Sequence, residues 1–302
     1  MSHLWELPLR LAFWLLVAPL VPGLINRIKA WVAGRRGPPV LQLYFDLARL
    51  WRKQVVMSPL ASPGFILGPA VAWVAVAAAA LLLPLGPAGS IAGFPGDALV
   101  LVYLLALARF ATAWAAMEPG SAFEGMGVVR EVSFAVLAEG SIIAALLALS
   151  AQAGSLRLDA MLAPMVGTGS ALLAAGLFTV LLAENCRVPF DDPNTHLELT
   201  MIHEVMVLDH SGPPLAAVLH GASVKLLLFS VLLVQAVLPV AGLPPWLAGA
   251  ALLAGVLPVV VGIGLVESLL ARLAFRRVPL LLTTAFLLCL FALLMAWKGG
   301  TT

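Results

Sequence analysis

The feature that most constrains this 302-residue chain is a series of eight apolar runs, each about 20 residues long. An α-helix needs about 20 such residues to cross the roughly 30 Å hydrocarbon layer of a bilayer. Strands of a membrane barrel would alternate polar and apolar side chains, whereas these runs are apolar on every side, which favours helices. The runs cover about residues 8–26, 65–84, 97–117, 132–151, 164–184, 217–238, 246–266 and 279–297.

This pattern predicts an all-α membrane protein, a bundle of eight transmembrane helices that forms a single integral membrane domain over residues 1–302. Charged residues make up only 11% of the chain, which excludes an ordinary soluble domain. The first run leads into a basic loop and lacks a small-residue cleavage site, so we interpret it as a retained helix.

The basic residues indicate how the bundle is oriented. Most of them lie in the connections after the first, third, fifth and seventh runs, whereas the opposite side has only Arg10, Arg157 and Lys298. Because cytoplasmic loops carry an excess of Lys and Arg, both termini are expected outside and the basic loops inside. The net charge of +2 therefore reports topology and gives no indication of nucleic-acid binding.

Residues 40–54 form an amphipathic segment in the first basic connection. Apolar residues recur there at helical spacing, while Asp46, Arg49 and Arg52 take the other face. Such a segment is typical of a helix that lies in the membrane interface, with its basic side towards lipid phosphates or a partner. It could serve as a surface anchor or form one wall of a lateral entrance into the bundle.

Acidic residues concentrate between the fifth and sixth runs, in a loop over about residues 184–210. The stretch from Glu184 to Asp209, ENCRVPFDDPNTHLELTMIHEVMVLD, holds six of the fifteen acidic residues. A carboxylate at or near hydrocarbon is unfavourable, so such a cluster indicates a functional site. In the preceding basic connection, Gly120, Gly125 and Gly127 predict irregular backbone that closely approaches another chain or a cavity.

Three more charged residues lie inside apolar runs and need partners: Arg109, Glu139 and Lys225. We expect them to form an internally hydrated proton or charge path with the acids of the loop. Its carboxylates would be Glu139, Glu184, Glu198 and Glu204, with Arg109 and Lys225 as charge partners. The alternative is that these groups only brace the helices, which the sequence does not separate from a proton path.

The cysteines and histidines do not indicate a metal site. Cys186 and Cys289 form no CxxC pair, which excludes a self-contained iron–sulfur or zinc site built on cysteines. His196, His203 and His210 recur every seven residues, but the second histidine of an HExxH motif is missing. Proton relay or hydrogen bonding to a partner subunit is the favoured role for these histidines.

The acidic loop resembles the signature of a known family. The segments ENCRVPFDDP (184–193) and THLELTMIHE (195–204) are similar to the membrane subunit that complex I shares with energy-converting nickel–iron hydrogenases, the complex I subunit 1 family. Asp192–Pro193 and the segment 195–199 resemble its hydrogenase branch, which includes hydrogenase-4 component C and formate hydrogenlyase subunit 4. The segments 120–123 and 125–127 and the pair Arg130–Glu131 do so too, and the resemblance extends over essentially the whole chain.

The resemblance implies a membrane subunit without a catalytic centre of its own, on which a hydrophilic redox arm docks. The nickel–iron centre and iron–sulfur clusters would lie in partner subunits, with none in this chain. The expected partners are the large and small hydrogenase subunits and antiporter-like membrane subunits, in the cytoplasmic (inner) membrane of a prokaryote. The arm would dock on the loops 117–131 and 185–210, through Arg130, Glu131, Arg187, Asp191, Asp192, His196 and His203.

Three other interpretations remain as alternatives. The chain could be the quinone-chamber subunit of a complex I-like NADH dehydrogenase, but the departures at Asp192 and His196 favour a branch in which quinone is not obligatory. A stand-alone transporter would show internal repeats or paired broken helices, and none is visible. A membrane prenyltransferase would need two separated Asp-rich sites, whereas only Asp191–Asp192 is present.

Overall fold

The computed structural model describes residues 6–85, 89–90, 93–162, 167–191, 201–238 and 243–299. Within these ranges the regular secondary structure is helical, with a short 3-10 turn at Phe275–Arg277 before the last helix. The helices are α1 (Glu6–Val17), α2 (Leu20–Val32), α3 (Gln42–Leu50), α4 (Gly64–Leu82), α5 (Asp97–Met117), α6 (Ala122–Ala153), α7 (Leu158–Met161), α8 (Thr168–Glu184), α9 (His203–Met206), α10 (Gly212–Val237), α11 (Pro245–Leu269) and α12 (Val278–Gly299).

Seven helical segments of the described chain are long and apolar enough to cross a membrane. They are Glu6–Val32, Gly64–Leu82, Asp97–Met117, Ala122–Ala153, Gly212–Val237, Trp246–Leu269 and Phe275–Trp297. At the place of the expected fifth span, α8 is a shorter apolar helix of 17 residues, near the lower limit of about 17 for a spanning helix. The predicted all-α membrane architecture is therefore confirmed, while the number of spans and the placement of both termini outside stay predictions.

The connections that carry most of the basic residues meet at one end of the bundle, which we call the basic side. The backbone N–H of Ser62 donates to Glu118, that of Val56 donates to Ser211, and that of Leu273 donates to the carbonyl of Pro189. At the opposite end, the side chain of Arg10 donates to the carbonyl of Gly89. The alternation of the predicted loops between two ends is thus present in the fold.

One helix occupies the centre of the bundle. In α10, 78% of the most apolar stretch is buried inside the protein, against 28% in the corresponding stretches that contain α11 and α12. Close approach elsewhere depends on small residues, as is common between membrane helices. Gly176 of α8 lies against Ala285 and Cys289 of α12, where a Cβ atom would overlap the sulfur of Cys289.

The fourth span begins earlier than the sequence predicts. The run was expected over 132–151 with a glycine-rich irregular loop before it, but α6 starts at Ala122 and includes Gly125 and Gly127. The expectation of irregular backbone is wrong at these two positions and holds at Gly120, whose φ is +70°. Tight packing explains Gly127, since a Cβ atom there would overlap the side chains of Val205 and Met206.

The amphipathic segment is helical over Gln42–Leu50, a shorter range than the predicted 40–54. Leu47 is buried, and the hydroxyl of Tyr44 donates to the carbonyl of Leu16 at the end of α1. Phe45 and Trp51 remain exposed on the surface of the protein. The interfacial location of α3 stays a prediction, which these exposed aromatic side chains support.

Candidate functional site

A cluster of charged side chains surrounds Arg109, which lies in the second half of α5 with its side chain only 9% exposed. Its Nε lies 3.4 Å from Oε1 of Glu131, its Nη1 pairs with Glu139, and its Nη2 pairs with Glu184. Glu131 and Glu139 are on α6, two turns apart, and Glu184 ends α8. Each nitrogen of one guanidinium thus faces a different carboxylate, which the planar fork of arginine allows and a lysine would not.

Glu184 connects this arginine to a second cation. Its side chain is 1% exposed, and its Oε2 lies 2.8 Å from Nζ of Lys225 in the central helix α10. The ion-pair cluster therefore joins α5, α6, α8 and α10. It contains the three carboxylates and the two cations, so one negative charge remains when all five groups are ionised. A site with one carboxylate in excess can take up and release a proton.

Cavities border the cluster or lie close to it. One of about 80 Å³ is bordered by Arg109, Glu131, Glu184 and Lys225 among mostly apolar residues, and these charged groups and its size allow it to hold water. A larger one of about 240 Å³ is lined by His203 and by residues of α2, α3, α10 and the acidic loop. His203 borders both cavities, so the two cavities are neighbours.

The thiol of Cys186 lies beside the ion-pair cluster, just after α8. Its Sγ donates to Oε2 of Glu131 over 3.8 Å, and burial raises the pKa of this thiol well above its usual range, with Glu131 and Asp191 adding to the effect. The group therefore remains a protonated thiol and acts as a weak hydrogen-bond donor to the cluster.

A second buried ion-pair group, which the sequence analysis did not predict, is centred on Glu267 near the end of α11. The side chain of Glu267 is fully buried; one oxygen lies 2.7 Å from Nζ of Lys29 and the other lies 3.3 Å from Nη1 of Arg187. This group ties α2 and the loop after α8 to α11. A lone acid at the end of an apolar run was the available signal, but a position near a span end is equally compatible with exposure to water.

The start of the acidic loop is held by a third set of contacts. Oδ1 of Asp191 lies 3.2 Å from Arg272, and its Oδ2 accepts the backbone N–H groups of Ile202 and His203. Arg272 and Arg130 both stack over the ring of Phe275, at 5.2 Å and 4.8 Å from its centroid. Asp191 is only 1% exposed, so these contacts lie inside this subunit.

The predicted site residues separate into three groups. Of the expected path, Arg109, Glu139, Glu184 and Lys225 come together in the ion-pair cluster, whereas Glu204 lines the larger cavity. Of the expected docking residues, Glu131 belongs to the cluster and His203 borders the cavities. The other three contact other parts of this chain: Arg130, Arg187 and Asp191. Asp192, His196 and Glu198 lie outside the described residues.

Fold and site together define a class: an all-helical, multi-pass membrane protein whose interior carries ionisable side chains beside cavities. Comparison with known proteins narrows that class, because this chain belongs to the NADH dehydrogenase family, whose pattern matches residues 6–298. The predicted resemblance to the complex I subunit 1 family is thereby confirmed.

Two relatives from Escherichia coli (strain K12) place the chain within this family. It is 33% identical to hydrogenase-4 component C, over 74% of this chain and 72% of the relative. It is 31% identical to formate hydrogenlyase subunit 4, over 87% of this chain and 89% of the relative. Both relatives agree with the predicted hydrogenase branch.

The fold also matches a solved structure. A chain in the structure of the membrane-bound sulfane sulfur reductase, an archaeal respiratory membrane complex, superposes with a TM-score of 0.84 over 98% of this chain and 100% of that chain. At 19% sequence identity, this likeness shows that the two chains share a fold.

Proposed function

We propose that this chain is the membrane-anchor subunit of an energy-converting nickel–iron hydrogenase or a formate hydrogenlyase-type complex, and that protons move through its interior. The relatives named for hydrogenase-4 and formate hydrogenlyase support the type of complex. The single observation that supports proton movement is the ion-pair cluster around Arg109, with one carboxylate in excess and a cavity of about 80 Å³ beside it.

The contacts in the cluster suggest how a proton could be handed on. When a proton binds one of the carboxylates that face Arg109, that acid loses its charge and the guanidinium keeps its other two partners. Glu184 has a second partner in Lys225, so Arg109 can move towards Glu139 or Glu131 without leaving Glu184 unpaired. A redox event that changes which carboxylates pair with Arg109 would cause the cluster to release a proton on one side and take one up on the other.

The partner subunits would supply the redox chemistry. A hydrophilic arm with the large and small hydrogenase subunits would hold the nickel–iron centre and the iron–sulfur clusters, and antiporter-like subunits would lie beside this chain in the cytoplasmic membrane of a prokaryote. Two exposed apolar side chains support docking on the basic side, Phe123 at the start of α6 and Leu208 in the acidic loop. Exposed apolar groups next to charged loops are typical of protein-binding surfaces.

A quinone-chamber role is the second candidate. The cavity of about 240 Å³ combines His203 and Glu204 with apolar side chains such as Leu43 of α3 and Leu226 of α10. Its place beside α3 agrees with a lateral entrance at the amphipathic helix. Reduction of an added quinone by the purified complex would favour this candidate, and turnover that is independent of quinone would favour the hydrogenase type.

Co-purification tests the anchor role. We expect the double substitution Phe123→Glu with Leu208→Glu to remove the hydrophilic arm while the chain stays inserted, because each carboxylate would be desolvated at the docking surface. Leu156→Glu, at an exposed apolar residue on the opposite side, is the matched control. Tagged wild-type chain and the control should purify with a nickel-containing arm. An arm that remains bound to the double variant would contradict this docking surface.

A further inference from the structure

Glu124, in the first turn of α6, is a buried acid that the ion-pair cluster does not use. The residue is 0% exposed, and its Oε1 accepts the backbone N–H of Asp209 over 3.2 Å. Its Oε2 has no hydrogen-bond partner among the described residues. An ionised carboxylate buried with a free oxygen is unfavourable, so this place favours a group that binds a proton or a water molecule.

The neighbours of Glu124 connect it to the surface on the basic side. Asp209 is exposed, and its carboxylate interacts electrostatically with Glu124. The next residue, His210, is buried and stacked on Phe65 with ring centroids 4.1 Å apart, and burial lowers the pKa of its imidazole. Protons from bulk water can therefore reach Glu124 through the exposed Asp209, while the neighbouring His210 stays neutral.

Glu124 also lies on the same face of α6 as the two glutamates of the ion-pair cluster. Glu124, Glu131 and Glu139 are separated by seven and eight residues on α6, so they share one face of this helix. By the helical rise of about 1.5 Å per residue, Glu124 lies roughly 10 Å from Glu131 along the axis. Glu131 in turn contacts Arg109, which connects this face of α6 to the ion-pair cluster.

An apolar layer lies between the turn of α6 that carries Glu124 and the turn that carries Glu131. It consists of Ala113 and Ala116 of α5, Val128 of α6 and Met206 of α9, which pack together as a small buried cluster. Val128 lies between Glu124 and Glu131 in the chain, and Met206 also borders the cavity of about 80 Å³ next to Arg109. A layer of this kind excludes water until a side chain moves, as apolar constrictions do in channels.

We propose that Glu124 is the proton-uptake site of this subunit, loaded from water at Asp209 and separated from the ion-pair cluster by the apolar layer. This inference rests on the proposed function. In each transfer Glu124 accepts a proton from water and becomes a carboxylic acid. When Met206 moves, the proton passes to the carboxylate of Glu131, and Glu124 returns to its ionised form. Met206 is thus the movable part of the layer.

Infrared difference spectroscopy on the full chain in lipid nanodiscs tests the site without a redox partner. We expect a pH step to produce a carboxylic-acid band that Glu124→Gln removes and that Glu118→Gln, the same change at a half-buried acid on the basic side, leaves in place. In D₂O, Asp209→Asn should slow the exchange of this band at least about tenfold, because the relay group is lost. Superimposable spectra of wild type and Glu124→Gln would overturn the proposal.

A second measurement uses the assembled complex in vesicles and separates the two proposals. Glu124→Gln should lower proton uptake per turnover at least about tenfold, Glu124→Asp should restore most of it, and Glu118→Gln should stay within about twofold. Unchanged uptake in Glu124→Gln would refute the uptake role. If the wild-type complex moves no protons while the Glu124 band still titrates, the proposed function fails and the assignment of Glu124 as a water-reached proton acceptor stands.

Discussion

Replacement of Arg109 by methionine is expected to lower the free energy of unfolding of this subunit by about 3–5 kcal/mol, since removal of one partner leaves buried charges unpaired. The guanidinium serves Glu131, Glu139 and Glu184 at once, and Lys225 contacts only Glu184 among them. Denaturation of the purified chain in detergent measures the loss.

Two further variants make this first expectation specific. Arg109→Lys keeps the charge but loses the three-way fork, so we expect it to recover only part of the stability. Arg157→Met removes an arginine whose side chain is 46% exposed, and a surface pair contributes about 0–1 kcal/mol. Equal stability of the Arg109→Met and Arg157→Met variants would show that the buried cluster does not support the fold.

Replacement of Glu267 by leucine should destabilise the chain to a similar degree, by about 3–5 kcal/mol, because Lys29 and Arg187 would face an apolar side chain. The damage should be local and loosen α11 from α2, which α11 contacts along the bundle surface. Hydrogen exchange of the backbone amides in α2 and α11 would locate it. The control is Asp46→Leu, which removes an acid from the exposed pair with Arg49 at 3.9 Å. If Asp46→Leu lowers the free energy of unfolding as much as Glu267→Leu does, the buried ion-pair group has no special role in stability.

The charged residues inside apolar runs were the most informative part of the sequence. Arg109, Glu139 and Lys225 had to find partners in the bundle interior, because hydrocarbon cannot hold isolated charges. The structure brings all three to Glu184 and its neighbours. The sequence could therefore predict which residues belong together, while it could not predict which oxygen faces which nitrogen.

The misplaced residues share a physical cause. Glu131 was expected on the docking surface, but the start of α6 at Ala122 places it inside the bundle, where it pairs with Arg109. Glu267 and Asp191 are held by cations from distant parts of the chain, 238 and 81 positions away in the case of Lys29 and Arg272. Such pairings depend on how the helices pack, and local periodicity contains no information about that packing.

The most direct test of the central claim is to measure hydrogen turnover and proton uptake together in vesicles that contain the complex with Glu184→Gln. Glutamine keeps the size of Glu184 and one acceptor oxygen for its two cationic partners, and it removes the titration. We expect assembly and hydrogen turnover to persist, while proton uptake per turnover falls at least about tenfold. Asp159→Asn, on the opposite side, should remain coupled. Full coupling in the Gln variants of Glu139, Glu184 and Glu198 would contradict a proton path through this subunit.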